Sequence, residues 1–247
     1  MACMDEDFLI CEDDRCVLLA EDFLEEVSKE TKADRFNRVI NDLAKVYPDA
    51  VLVGAVAAAK YVRNPERPRE TEDIDVLLGE KDFAEFLIDD IPEEKLKTLE
   101  AYFDTSDSLS HSLRHKETGI YVDLLSTESN PIRKRITRHI FENRDRSTHI
   151  LIGGNHSMDI LKPELLLAMK INRFSKNPES QKGRSDLLDM KKILRTLMEK
   201  GIAVDFKLVE SFLNENEIKK LKDIVQEVTS QHGTARAEKA GTGGPIN

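Results

Sequence analysis

Asp73 and Asp75, separated by one isoleucine in Thr71-Glu72-Asp73-Ile74-Asp75-Val76-Leu77-Leu78, are the residues whose types and spacing point most directly to chemistry. In a strand, alternate side chains share a face, so the two carboxylates project together about 6 to 7 Å apart along the backbone. Such like charges are costly in an apolar strand unless cations or donors neutralise them. Hard divalent ions suit the pair, Mg²⁺ above all with Mn²⁺ as a substitute, and two ions on shared carboxylates commonly serve in-line displacement at phosphorus. The other reading is structural, with both aspartates capping a turn at the strand start.

Gly54, about twenty residues upstream in Leu52-Val53-Gly54-Ala55, falls at a strand-to-helix junction, where free backbone N–H groups and the helix dipole offer a place for a phosphate. Downstream, Asp123 adds a carboxylate to the apolar run Tyr121-Val122-Asp123-Leu124-Leu125, and a hairpin can bring it beside the first pair. Its alternative is a hydrogen-bonded residue at a strand end. Three strand carboxylates after a glycine turn form a more specific pattern than any one of them.

The elements that must hold these residues follow from periodicity. Apolar residues from Phe23 to Val46 recur at helical spacing until Pro48, as one long helix or two abutting ones. A short strand over 50–53, an Ala-rich helix over 55–62 and a strand over 73–78 come next. Helical segments over 82–87 and 92–102 precede a hairpin over 108–126 that turns at Lys116-Glu117-Thr118-Gly119. Asn130 and Pro131 open a helix with Ile132, Ile136 and Ile140 on one stripe, and a strand pair follows around Gly153 and Gly154. After Pro163 the pattern is wholly helical: segments over 164–174 and 185–198, then two shorter helices to about Val228. The expected organisation is an N-terminal arm (1–19) with short edge strands, an α/β domain (20–160), a helical domain (161–229) and a disordered tail (230–247).

At these residues the chain resembles the nucleotidyltransferase superfamily related to polymerase β, and within it the AbiEii-like branch of toxin–antitoxin and abortive-infection systems. The matching residues are Gly54, Arg69, Thr71, Asp73, Asp75 and Asp123, followed by Lys170 and Arg173 on a helix and by Lys182-Gly183-Arg184-Ser185-Asp186 leading to Asp189. The resemblance spans roughly residues 35 to 200. It implies an α/β (α+β) fold, a small mixed sheet flanked by helices with a helical domain appended, and an NTP bound between the two. It further implies that Asp73, Asp75 and Asp123 hold two Mg²⁺ ions. Asp123 serves the attacking hydroxyl, of an RNA or of a protein, to which a nucleotidyl group passes from the NTP, and Gly54, Ala55, Arg69, Thr71, Lys170, Arg173 and Asp186 serve the nucleotide. Lys170 has a second reading as a lysine whose stem lies along the apolar side of its helix. Asp186 and Asp189, three apart, either orient Lys170 and Arg173 or begin a solvated helix. Arg69 and Thr71 are equally at home as turn residues. One departure from the pattern is Ala55, where many members have Ser or Gly. A hydroxyl contact to the triphosphate is then missing, which leaves room for a nucleotide-binding protein without turnover; transfer of the γ-phosphate is a third reading on the same fold.

Arg133, Lys134, Arg135 and Arg138, with Arg144 and Arg146 beyond, make a basic segment from Arg133 to Arg146 that can grip an RNA acceptor such as a tRNA end, or that pairs with acidic neighbours. An antitoxin protein is the partner the family setting implies. The 247 residues carry a net charge of −10, against a surface that grips long nucleic acid everywhere. Cys3, Cys11 and Cys16 form no CxxC pair and are read as reduced thiols. The acidic first residues and the lack of any run of about 18 apolar residues predict a cytoplasmic protein with no membrane partner.

Overall fold

The structure is a computed structural model that describes residues 10–12, 15–19, 31–62, 73–88, 90–104, 111–125, 131–153 and 156–241. Arg69, Thr71, Cys3 and Asn130 lie outside the described residues, as does the helical stretch expected before residue 31. The chain forms two compact units, one within Met1–Ala57 and Arg69–Lys162, the other within Ala58–Pro68 and Pro163–Asn247.

The first unit is built on a mixed sheet. Its strands are β1 (Ile10–Glu12), β2 (Arg15–Leu19), β3 (Val51–Leu52), β4 (Asp73–Leu77), β5 (Phe103–Asp104), β6 (Ser112–His115), β7 (Tyr121–Leu124), β8 (Thr148–Gly153) and β9 (His156–Leu161). They lie in the order β1-β2-β8-β9-β3-β4-β7-β6-β5. At the centre β4 runs parallel to β7 and antiparallel to β3, while β6 and β7 form the antiparallel hairpin. In the N-terminal segment the described residues form short strands at the edge of this sheet. β2 runs parallel to β8, satisfying backbone groups that would otherwise be a sheet edge, and β1 becomes the outer strand.

Ile74 and Val76 on β4, Val122 and Leu124 on β7 and Leu113 on β6 share one face by register and are all buried. Helix α1 (Lys32–Val46) covers that face. Thr31 and Asp34 make a capping box at its start, and Phe36, Val39, Ile40, Leu43 and Val46 form its buried stripe. Asp42 in that helix meets His115, which alternates with Ser112 and Arg114 and so points to the covered side of β6.

The remaining helices of this unit are α2 (Gly54–Lys60), which begins directly after β3 and continues into the second unit, α3 (Glu80–Leu87), α4 (Glu93–Tyr102), α5 (Pro131–Glu142) and α6 (Arg144–Ser147). Arg144 of α6 bonds Asp159, which the register aligns with Val51 and Leu77. That row lies on the side opposite α1, so helices flank both faces.

The second unit is helical: α7 (Pro163–Lys176), with Pro163 at the first-turn position, packs against α8 (Gln181–Glu199), α9 (Phe206–Glu210) and α10 (Glu215–Gly241). Two elements differ from what the sequence predicts. Helix α8 starts at Gln181, not 185, because Ser180 caps it and Gly183 fits where a Cβ would stand 2.1 Å from the Asn177 carbonyl oxygen. Residues 230–241, expected to be disordered, continue α10. Ala235, Ala237, Glu238, Lys239 and Ala240 are strong helix formers, and propensity acts there without an apolar stripe. Among the described residues no helix is long and apolar enough to cross a membrane.

Candidate active site

The open face of β4, β7, β6 and β5 carries two rows of polar side chains. One row is Asp75 on β4, Asp123 on β7 and Ser112 on β6, in direct register. The other is Asp73, Tyr121, Arg114 and Asp104. Neighbouring strands lie about 4.8 Å apart and residues i and i+2 about 6.6 Å apart, so the three predicted carboxylates share one small area of the sheet. All three are partly exposed while the residues between them are buried. Alternation along apolar strands thus places the acids together and aims them away from the core.

Gly54 borders this area on the β3 side. Its φ is +71°, and a Cβ there would stand 1.9 Å from Asp75 Oδ2. The neighbouring amide of Val53 donates to the Asp75 carbonyl at 3.0 Å. Glycine is therefore required twice, by backbone conformation and by the close approach of the turn to the carboxylate. Ala55 follows in the first turn of α2, partly exposed. On the opposite side Ser112 Oγ donates to Asp123 Oδ1 at 2.6 Å and fixes the orientation of that carboxylate.

Among the described residues no three His, Cys, Asp or Glu side chains converge closely enough to cage an ion. The donor set fits a different mode of binding. Mg²⁺ usually takes one or two protein carboxylates and completes its shell with water and substrate phosphates, and the half-exposed side chains of Asp73, Asp75 and Asp123 suit that mode.

Lys170, Arg173, Asp186 and Asp189 come together in the second unit. Lys170 Nζ donates to Asp186 Oδ1 at 3.3 Å and to Asp189 Oδ2 at 2.8 Å, and Lys170 and both aspartates are buried. Arg173 holds Asp186 with a fork, Nε to Oδ2 and Nη2 to Oδ1, the latter 2.6 Å. Residues three apart on α7 thus face residues three apart on α8. The group clamps one helix to the other, and Arg173 is its most exposed member, at 42 %.

The basic segment is not one continuous helix. It breaks at Asn143, between α5 and α6. Ile136 and Ile140 are buried, while Lys134, Arg135 and Arg138 of α5 are exposed and Arg133 is half-buried. Arg144 is drawn out of any outward face because it bonds Asp159 and pairs with Asp49 at 3.3 Å.

Several residues near the site carry no sequence signal of their own. Ser112 can be placed opposite Asp123 only by counting through the hairpin turn. Tyr121, at 42 % exposure, is the large side chain beside Asp73 in the upper row. Behind the sheet, His115 Nε2 lies 3.0 Å from Asp42 Oδ2, and its Nδ1 lies 2.9 Å from Thr118 Oγ1. The Thr118 amide donates to Nδ1, so Nε2 carries the proton that reaches Asp42. This buried chain ties the hairpin turn to α1 and so supports the strand that carries Asp123.

No protein-family model matches the chain. No curated protein matches it in sequence. Among solved structures, it is similar to that of an antigenic nucleotidyltransferase-like protein from Paracoccidioides brasiliensis. The similarity covers 79 % of this chain and 93 % of that one, with a TM-score of 0.54 and 18 % identity. The fold is accordingly nucleotidyltransferase-like: a mixed sheet flanked by helices, with a helical unit attached.

Proposed function

We propose that the protein is a Mg²⁺-dependent nucleotidyltransferase that moves a nucleotidyl group from an NTP to a hydroxyl of RNA. The reading rests above all on the register of Asp75 with Asp123, which puts a strand carboxylate from each of two neighbouring strands on one open face beside Gly54. Asp73 and Asp75 would hold the metal, with Asp123 as a shared ligand. When bound, Mg²⁺ (or Mn²⁺) neutralises phosphate charge and draws the reacting groups together. Asp123, oriented by Ser112, takes the proton of the acceptor hydroxyl as that oxygen attacks the α-phosphorus. The bond from the α-phosphorus to its bridging oxygen breaks and pyrophosphate leaves. Backbone amides at Gly54 and Ala55 contact the departing phosphates, and Arg69 and Thr71 are the remaining candidates for phosphate contact. In this reading Lys170, Asp186 and Asp189 are supports that keep α7 and α8 fixed.

The exposed Lys134, Arg135 and Arg138 of α5 favour an RNA acceptor, because a local basic face supplies phosphate contacts. A toxin of a toxin–antitoxin pair, of the AbiEii-like branch, working in the cytoplasm with an antitoxin as its partner, is the setting that suits this chemistry. Ala55, which brings no hydroxyl to the turn after Gly54, favours one second reading, a protein that binds nucleotide without turnover. Incubation with α- and γ-labelled NTPs, Mg²⁺ and total RNA separates the cases. Label from the α-position in RNA supports transfer, binding of Mg·NTP without label in any acceptor supports the second reading, and label from the γ-position alone makes the protein a phosphotransferase.

A further inference from the structure

The sheet order β3-β4-β7-β6 arranges the open face in a sequence: Gly54 at the start of α2, then Asp73 and Asp75, then Asp123 with Tyr121, then Arg114 with Ser112. If the triphosphate lies on the Gly54 side, as the reading above has it, the acceptor must come from the side of Asp123. What it meets there is an exposed aromatic ring and, directly opposite in the cross-strand register, an exposed guanidinium. Side chains at such positions stand about 4.5 to 5.5 Å apart at Cβ. Arg114 is paired only loosely with Asp104, at 3.9 Å between two half-exposed side chains, so its guanidinium can turn to another anion at little cost. Gly119 leaves it room: a Cβ added there would come within 3.4 Å of Arg114 Nη2.

An aromatic ring left 42 % exposed in the middle of a sheet, on a face otherwise made of charges and a hydroxyl, is not explained by packing. Buried residues lie on the other face of the same strand, so the fold does not need the ring where it stands. A planar π-surface next to a forked cation is what a nucleotide presents its complement to. The base stacks on the ring, and its phosphate takes the guanidinium.

We propose that Tyr121 and Arg114 form the acceptor subsite, in which the terminal base of a single-stranded RNA stacks on Tyr121 and the adjoining phosphate is held by Arg114. The inference rests on the nucleotidyltransferase reading for the direction from which the acceptor arrives, but RNA binding at these two residues can be measured without any turnover. Both are positioning residues. They place the terminal hydroxyl near Asp123 and take no part in bond making.

The test uses the full chain and a fluorescent single-stranded RNA oligonucleotide, once with an intact 3′ end and once with an abasic 3′-terminal nucleotide, in Mg²⁺ without NTP. Tyr121→Val keeps strand propensity and removes the ring, and it is expected to weaken binding of the intact oligonucleotide about tenfold. The abasic oligonucleotide should bind the wild type equally weakly, and combining the two changes should cost no more than either alone. Tyr121→Phe should restore affinity, and Arg114→Ala should reduce the salt dependence by about one phosphate contact. In transfer assays the Tyr121→Val change should raise KM for RNA and leave KM for NTP unaltered. Equal affinity of wild type and Tyr121→Val for the intact oligonucleotide, or full additivity with the abasic end, overturns the subsite. If α-label still reaches RNA in either case, the subsite falls and the activity stands. If RNA binds with the predicted pattern but Mg·NTP neither binds nor transfers, the activity falls and the RNA subsite stands.

Discussion

Asp75 and Asp123 stand opposite one another on adjacent parallel strands, with both carboxylates on the open face of the sheet. Like charges directly across a strand pair repel, so removing one of them relieves a cost to the fold. Asp75→Asn and Asp123→Asn are expected to leave the far-UV circular dichroism unchanged and the melting temperature equal or slightly raised. Nucleotidyl transfer should fall about 10²-fold or more for either variant. Wild-type turnover in Asp75→Asn would remove the metal site from the mechanism, and a marked loss of stability would show that the carboxylates serve the fold.

Gly54 faces Asp75 so closely that no side chain fits between them. Gly54→Ala combines a left-handed backbone with an overlap against a carboxylate attached to a central strand, and the two effects together should destabilise by about 2–4 kcal/mol. Urea unfolding measures this directly. Because relief comes by moving Asp75 or the turn, Mg·NTP affinity in the variant should fall even at temperatures where it stays folded. Unchanged stability and nucleotide affinity would show that the turn and the carboxylate are not tightly coupled.

Much of this site can be read from the chain because its parts are local. Asp73 and Asp75 share a face through alternation alone, and Lys116-Glu117-Thr118-Gly119 announces the hairpin that holds Asp123. The residues that complete it are legible only through pairing. Nothing in the sequence says that β4 pairs with β7 in parallel, across the 48 positions from Asp75 to Asp123, with one register rather than a slipped one. Tyr121 and Arg114 reach the same face as the aspartates through that register, and the contact of Asp42 with His115 spans 73 positions. Gly54 is conspicuous in the sequence as a helix-start glycine, yet its tightest constraint comes from a carboxylate 21 residues away. Composition misleads at the C-terminus, where an Ala-containing stretch without a stripe continues a helix begun and packed upstream.

Lys95 holds Glu85 below the usual range of a glutamate, mainly through the hydrogen bond from its ammonium, aided by its charge and that of Lys81 and opposed by partial desolvation. A carboxyl whose folded value is depressed adds stability that is complete above the ordinary value near 4.5 and is lost as pH falls through the lower folded value. The link between α3 and α4 should therefore weaken on acidification below that point. Comparing urea midpoints of wild type and Glu85→Gln, the wild type should be the more stable at pH 6, and the gap should shrink as the pH is taken below 4.5. A gap that persists at low pH would assign the difference to packing instead of charge.

Lys170 presents the sharpest conflict between a nucleotide contact and a structural role, because its ammonium is buried and donates to two carboxylates on the facing helix. Removing one partner of a buried ion group leaves uncompensated charge, which typically costs about 3–5 kcal/mol. Lys170→Met leaves Asp189 without this donor and Asp186 with the Arg173 fork, so the helical unit should lose stability on that scale. A double variant, Lys170→Met with Asp189→Leu, removes charge from both helices and should recover a large part of the loss, since an apolar replacement of a buried pair is often close to neutral. If Lys170 acts only as a clamp, the recovered double variant will bind Mg·NTP with wild-type affinity. If its stability returns while nucleotide affinity stays low, Lys170 leaves its aspartates to meet the phosphate, and the cluster is part of the nucleotide site.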